Sequence, residues 1–231
     1  MGLTLFTDKT SWDNARKDTR HTAATLTASE IHRAAAKPLK ELLARWNETD
    51  QERRDADDKL VDANALVAWV DARVLDPLVI ELASLLLHEA KQNRLDPKFK
   101  RFFPEAPNEV VRMGLESEIK RTKAFFNVAD ENPPSKEGRA ILARIAVAHK
   151  QGEGALKARE DATLQVARVS LRIQTWKEDA NAVRRSVENQ LDAHANEQGL
   201  PRDYSDPFFP SARAARGPIE KKPAPAPPTG G

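Results

Sequence analysis

The chain has no cysteine and few aromatic residues, and both absences narrow its structural class. Without cysteine there is no disulfide, no thiolate metal ligand and no cysteine nucleophile. Aromatic residues make up 6% of the 231 residues, and Tyr204 is the only tyrosine. The alternating Val, Ile, Thr and Tyr runs that are typical of strands are therefore missing. Alanine, leucine, arginine and glutamate dominate instead, which predicts an all-α fold.

Long apolar runs are missing as well. The most apolar stretch, residues 78–87, is interrupted by Glu81 and is too short to cross a bilayer, which requires about 20 apolar residues. The first twelve residues, MGLTLFTDKTSW, lack the basic start and apolar core of a secretory signal. Together with the absence of cysteine, these features predict a cytoplasmic protein without a transmembrane segment.

The net charge of +2 is unevenly distributed along the chain. Residues 211–231 contain a single acidic residue, Glu220, and four basic ones: Arg213, Arg216, Lys221 and Lys222. The rest of the chain is nearly neutral with interspersed signs, which argues against a specific nucleic-acid surface. The basic C-terminal segment is expected to make only weak contact with anionic surfaces.

Apolar residues recur every three or four positions along most of the chain, which predicts long helices. A first helix is expected over residues 11–46, kinked or split near Ala35 because Pro38 lacks a backbone donor. The residues of Thr49–Glu52 match a capping box and predict a turn before a second helix that ends near Arg94. The glycines of Gly152–Gly154 predict another turn, followed by a last helix over residues 155–198.

The tripeptide Phe-Phe-Pro occurs at residues 102–104 and again at 208–210, an offset of 106. Ser29 and Ser135 match at the same offset, and Trp69 matches Trp176 at an offset of 107. We interpret these matches as an internal duplication.

The predicted architecture is an elongated four-helix bundle made of two long helical hairpins packed as one domain. Hairpin 1 is expected over residues 1–107 and hairpin 2 over residues 108–213, each ending in its Phe-Phe-Pro segment. Residues 214–231, rich in proline and alanine, are expected to form a disordered tail.

The two Phe-Phe-Pro segments have two interpretations. In the favoured one they are buried straps that close the bundle, because phenylalanine offers a large apolar area in a short segment. In the other, one copy is an exposed docking motif. The candidate interaction residues are therefore Phe102, Phe103, Phe208, Phe209 and the basic residues Arg213, Arg216, Lys221 and Lys222.

No catalytic, cofactor-binding or metal-binding motif is apparent. None of the five histidines follows a glutamate at the Glu-x-x-His spacing of di-iron bundles. Ser84 and His88 lie one helical turn apart, but nothing supplies the oxyanion hole that a serine nucleophile needs. We therefore expect a protein that is not an enzyme and carries no cofactor.

The composition and helical pattern predict a non-catalytic interaction protein: a scaffold, an adaptor or a self-assembling structural subunit. Its expected partner is another protein or a second copy of the chain. The alternative is a membrane-associated bundle in which residues 78–87 open onto lipid. An enzyme would require a pocket between helices with convergent carboxylates or histidines.

Overall fold

The computed structural model describes residues 3–210, and this part of the chain is helical without any strand. The all-α prediction is therefore confirmed. The α-helices are α1 (Trp12–Ala28), α2 (Lys37–Val70), α3 (Asp76–Glu89), α4 (Pro97–Phe102), α5 (Pro107–Val110), α6 (Leu115–Glu131) and α7 (Lys136–Gln198). Short 3-10 helices occupy Arg33–Ala36 and Asp206–Phe208, and a π-helical turn occupies Asp71–Leu75.

Two predicted turns are wrong, because α2 and α7 run through them. The capping box at residues 49–52 lies inside α2, where the Thr49 hydroxyl donates to the Arg45 carbonyl one turn earlier at 3.0 Å. A threonine can make this bond in a helix interior as well as cap a helix start. The local motif therefore does not mark a helix end here.

Gly152, which suggested a turn, lies instead at a close approach between two helices. A Cβ at this position of α7 would lie 2.6 Å from Ile119 Cδ1 and 3.2 Å from Leu115 Cδ1, both on α6. Gly154 has no such neighbour within 4 Å. The missing side chain of Gly152 thus makes room for the α6 side chains that pack on α7.

The described chain forms two compact units. Unit 1 contains residues 3–52 and 170–210, and unit 2 contains residues 53–169. These boundaries differ from the predicted hairpins over residues 1–107 and 108–213. Unit 1 takes its residues from both ends of the described chain, so the first and last segments fold against each other. The predicted tail over residues 214–231 lies outside the described residues.

Unit 1 is centred on three tryptophans. The ring of Trp12 stacks on Trp46 with centroids 5.0 Å apart and meets Trp176 edge-on at 5.0 Å. Trp176 is fully buried, and its indole nitrogen donates to the Leu42 carbonyl at 2.7 Å. This bond satisfies the one polar group that burial of the indole would otherwise leave unpaired.

Unit 2 has a larger apolar core that is built by the π-helical turn and by α3, α4, α6 and the first part of α7. Its fully buried side chains include Leu75, Leu82, Phe102, Phe103, Phe125 and Ile145. Between residues 56 and 70 of α2 and between residues 155 and 169 of α7, one residue in seven is buried, and most of these residues are alanine. They are Ala56, Ala63 and Val70 in α2, and Ala155, Ala162 and Val169 in α7.

Every helix between residues 3 and 210 is either too short or too polar to cross a bilayer.

The close approach at Gly152 gives a direct test of helix packing in unit 2. We expect Gly152→Val to lower the free energy of unfolding by about 1–3 kcal/mol, because the new side chain collides with Ile119 and Leu115. Gly154→Val is the matched control and should change stability by less than about 0.5 kcal/mol. Urea denaturation followed by circular dichroism measures both, and equal effects would contradict the packing role of Gly152.

Candidate carboxylate site

A π-helical turn in unit 2 begins at Asp71 and brings two aspartates together. The Asp76 amide donates to the Asp71 carbonyl five residues earlier, in place of the four-residue spacing of an α-helix. Pro77 follows at once, and proline both lacks an amide hydrogen and crowds the carbonyl four residues before it. The widened turn therefore lies where an α-helical ladder could not have continued undisturbed.

The wider turn decides where the two carboxylates point. In a regular α-helix, residues five apart lie about 140° apart around the axis and face different neighbours. A π-helical turn closes after about five residues instead, so Asp76 comes to lie near Asp71 on one side of the helix. One additional residue in the turn thus converts two separated aspartates into a pair.

Glu118 of α6 completes the cluster. One carboxylate oxygen from each of Asp71, Asp76 and Glu118 lies within 4.8 Å of the other two. Among residues 3–210 this is the one group of three or more acidic, histidine or cysteine side chains close enough to hold a single metal ion. The site therefore joins the π-helical turn and the start of α3 to α6.

Glu118 is buried completely, with 0% of its surface exposed, whereas the two aspartates are half-buried. Four buried carboxylate oxygens have no hydrogen-bond donor: both of Glu118, Oδ1 of Asp71 and Oδ1 of Asp76. Unpaired buried polar atoms are rare in folded proteins because each loses its hydration without compensation.

The environment raises the pKa of all three carboxyl groups. Burial, together with the nearby charges of Asp76 and Asp71, raises the pKa of Glu118 to about 9. Burial also raises the pKa values of Asp71 and Asp76. Glu118 therefore keeps its proton at neutral pH when nothing else neutralises the cluster.

A second buried polar pair lies one turn further along α6. The Thr122 hydroxyl donates to the Glu118 backbone carbonyl at 2.7 Å and shares a hydrogen bond of 2.7 Å with Nε2 of His149 on α7. Burial lowers the pKa of His149, so the imidazole is neutral near pH 7. This histidine consequently supplies no positive charge to the carboxylates.

The first Phe-Phe-Pro segment lies inside unit 2. Phe102 and Phe103 are fully buried, with ring centroids 6.0 and 5.0 Å from that of Phe125. The Arg121 guanidinium donates to the Phe102 carbonyl at 3.0 Å, pairs with Glu105 and lies over the Phe125 ring. The side chains of Phe102 and Phe103 thus make their contacts within unit 2.

The second Phe-Phe-Pro segment lies in unit 1. Phe209 is buried and Phe208 is half-buried beside His32 and Tyr204. The buried Arg184 guanidinium lies 4.3 Å from the Phe6 ring and 5.8 Å from the Phe209 ring, within cation–π distance. The four basic candidates, Arg213, Arg216, Lys221 and Lys222, lie outside the described residues.

The carboxylate cluster was missed by sequence reasoning. Its members come from separate segments, and a five-residue spacing matches no metal-binding motif on an α-helix. One signal was available: Glu118 falls on the apolar stripe of α6 between Leu115 and Thr122, where a core residue is expected. A glutamate at such a position indicates a buried functional or structural charge.

Comparison of the chain with family models, with curated proteins and with solved structures finds no match.

The raised pKa of Glu118 predicts a pH-dependent stability. In the unfolded chain Glu118 loses its proton near its ordinary pKa, whereas in the folded protein it keeps the proton up to about pH 9. Unfolding between these values releases a proton, so the contribution of Glu118 to the free energy of unfolding falls as pH rises from about 4.5 to 9.

Glu118→Gln removes this titration, and it should reduce the number of protons released on unfolding by about one. Urea denaturation at several pH values in the presence of a chelator measures the change. Glu131→Gln, at the exposed end of the same helix, should keep the pH dependence of the unaltered protein. Parallel pH profiles for Glu118→Gln and the unaltered protein would show that Glu118 is ionised in the fold.

Proposed function

We propose that this chain is a non-catalytic interaction protein that self-associates through the paired α2 and α7 segments of unit 2. The main observation in support is an open groove between these segments, with exposed leucines on both walls. The phenylalanines of the two Phe-Phe-Pro segments are buried or half-buried within their units. The helix faces are therefore the better candidates for contact with a partner.

The groove has a volume of about 670 Å³, and its lining combines alanine and leucine side chains with four charged residues. Leu66 of α2 and Leu164 of α7 lie in its walls and are 45% and 50% exposed. Trp69, one turn beyond Leu66, is 56% exposed. Large apolar residues grouped on an exposed helix face indicate a contact site for another molecule.

The charges of the groove favour a second copy of this chain as the occupant. The α2 wall carries Lys59 and Asp62, and the α7 wall carries Asp161 and Arg168. Each wall therefore presents one cation and one anion. Two copies related by a twofold axis place the same surface against itself, so a cation of one copy can meet an anion of the other.

The spacing of the buried residues supports the same assembly. Burial every seventh residue on both helices is the pattern of coiled-coil packing, and alanine at these positions allows a short distance between helix axes. Two helices from each of two copies would complete a four-helix bundle. This bundle would form between two copies, whereas the bundle predicted from the sequence packs two hairpins of one chain.

We also infer an internal duplication. Helices α1 and α6 each have 17 residues. After each of them a serine hydroxyl accepts from the amide three residues later: Ser29 from His32 at 3.3 Å and Ser135 from Gly138 at 3.2 Å. Both serines and both amides are 106 residues apart.

The π-helical turn fits a local change of this offset by one residue. Before the turn, buried residues of α2 and α7 match at 106, as Val70 and Trp176 do. After the extra residue of the turn they match at 105, as do Leu75 with Ala180 and Leu86 with Leu191. Trp69 is exposed, so Val70 is a better counterpart of the buried Trp176.

The membrane-associated alternative has less support. It requires the segment at residues 78–87 to face lipid, yet five of these residues are buried in the core of unit 2: Leu78, Val79, Leu82, Ala83 and Leu86. Flotation with anionic vesicles at low salt measures this alternative independently of self-association.

Self-association is tested by light scattering coupled to size-exclusion chromatography on the full chain. We expect a species of twice the 25.7 kDa chain mass. Leu66→Asp and Leu164→Asp should each shift the protein to the monomer, because a charge placed in the apolar interface must be desolvated without a partner.

Leu95→Asp is the matched control, since Leu95 is an exposed leucine of unit 2 outside the groove. This variant should keep the mass of the unaltered protein. A monomer for the unaltered chain across the accessible concentrations, or a dimer that survives both groove substitutions, would refute self-association through this surface.

A further inference from the structure

We propose that Asp71, Asp76 and Glu118 bind one hard divalent cation, which fastens the π-helical turn and the start of α3 to α6. The inference is independent of self-association, because it concerns the interior of unit 2. It assigns a structural ion site to a protein whose sequence shows no metal-binding motif.

The geometry of the three carboxylates fits a single ion. Oxygen ligands lie about 2.0–2.6 Å from Mg²⁺ or Ca²⁺, so two ligands of one ion can be separated by at most about 5 Å. The three carboxylate oxygens all lie within 4.8 Å of one another. These separations are within the range that the ligands of one cation can span.

Glu118 provides the second observation, because it is a fully buried side chain that reaches the aspartates and has no donor of its own. An apolar residue at this core position would avoid the cost of burying a carboxyl group. A bound cation compensates that cost directly, since it neutralises charge and contacts several carboxylate oxygens at once.

A shared proton is the competing explanation of the cluster. A protonated Glu118 has one hydrogen and can donate it to one aspartate only. Four oxygens of the cluster are buried without a donor, so one hydrogen bond between two of them leaves the other two unpaired. A divalent cation accounts for more of these atoms than a proton does.

The donor set indicates which cations fit. All the available ligands are carboxylate oxygens, and the neighbouring His149 is engaged with Thr122. Oxygen-only sites favour Mg²⁺, Ca²⁺ and Mn²⁺ over ions that prefer nitrogen or sulfur. Mn²⁺ is the most informative probe, because its electron paramagnetic resonance signal distinguishes bound from free ion.

The experiment uses the full chain after removal of metals with a chelator. Mn²⁺ is titrated into the protein, and binding is followed by electron paramagnetic resonance and by the thermal unfolding midpoint. We expect one ion per chain and a rise of the midpoint with Mn²⁺ concentration, because an ion that binds only the folded state stabilises it. Mg²⁺ and Ca²⁺ are then tested as competitors.

Glu118→Gln should weaken Mn²⁺ binding by about 100-fold or more, since even changes behind the direct ligands of a metal cost about 10–100-fold. Asp76→Asn, at a half-exposed position, provides a second variant if the buried substitution fails to fold. Glu131→Gln and Asp130→Asn, on the exposed end of α6, are the controls and should bind as the unaltered protein does.

Loss of the Mn²⁺ signal and of the midpoint shift in the folded site variants, with both retained in the controls, supports the cation site. No saturable binding by the unaltered chain at millimolar Mn²⁺ would overturn it and leave the shared proton as the explanation. Equal binding by the unaltered protein and the folded site variants would also overturn it, since the ion would then lie elsewhere.

Discussion

The arrangement of unit 2 depends on a single packing constraint: the buried stripes of α2 and α7 must continue to face a packing partner. A straight α-helix has 3.6 residues per turn, so residues buried at seven-residue intervals drift slowly around its axis. Ala56, Ala63 and Val70 follow this interval as far as the π-helical turn, which begins one residue later. The extra residue in the turn resets the stripe, which continues with Leu75 at the end of the turn and with Leu78 and Leu82 on α3.

The same reset creates the carboxylate site. Without the five-residue step, Asp71 and Asp76 would face different neighbours, and Glu118 would be buried beside at most one of them. Glu118 is the fourth residue of α6, whereas the fourth residue of α1 is Ala15, and both are fully buried. The described part of α7 contains no π-helical turn. Among residues 3–210, the carboxylate site is confined to unit 2.

The two Phe-Phe-Pro segments are stabilised by similar contacts, although they lie in different units. An arginine accompanies each segment, lies over aromatic rings and donates to a backbone carbonyl. Arg121 lies over Phe125 and donates to Phe102. Arg184 lies over Phe6 and Phe209 and donates to Thr4 at 2.8 Å. Burial lowers the pKa of Arg184 to about 10, so this guanidinium is still charged at neutral pH. A buried cation can be tolerated because aromatic faces and carbonyl oxygens replace its hydration.

The sequence by itself determined the helical class, because helix-forming composition and apolar periodicity depend only on local geometry and on the exclusion of water. It also indicated the phenylalanine straps, whose burial follows from their large apolar area. It placed two turns incorrectly, since a capping box and a glycine pair fit a helix interior as well as a helix end when tertiary contacts favour continuation. Only the tertiary structure decided that Gly152 accommodates α6 and that three distant carboxylates converge, because such contacts depend on helix phase and on partners remote in the chain.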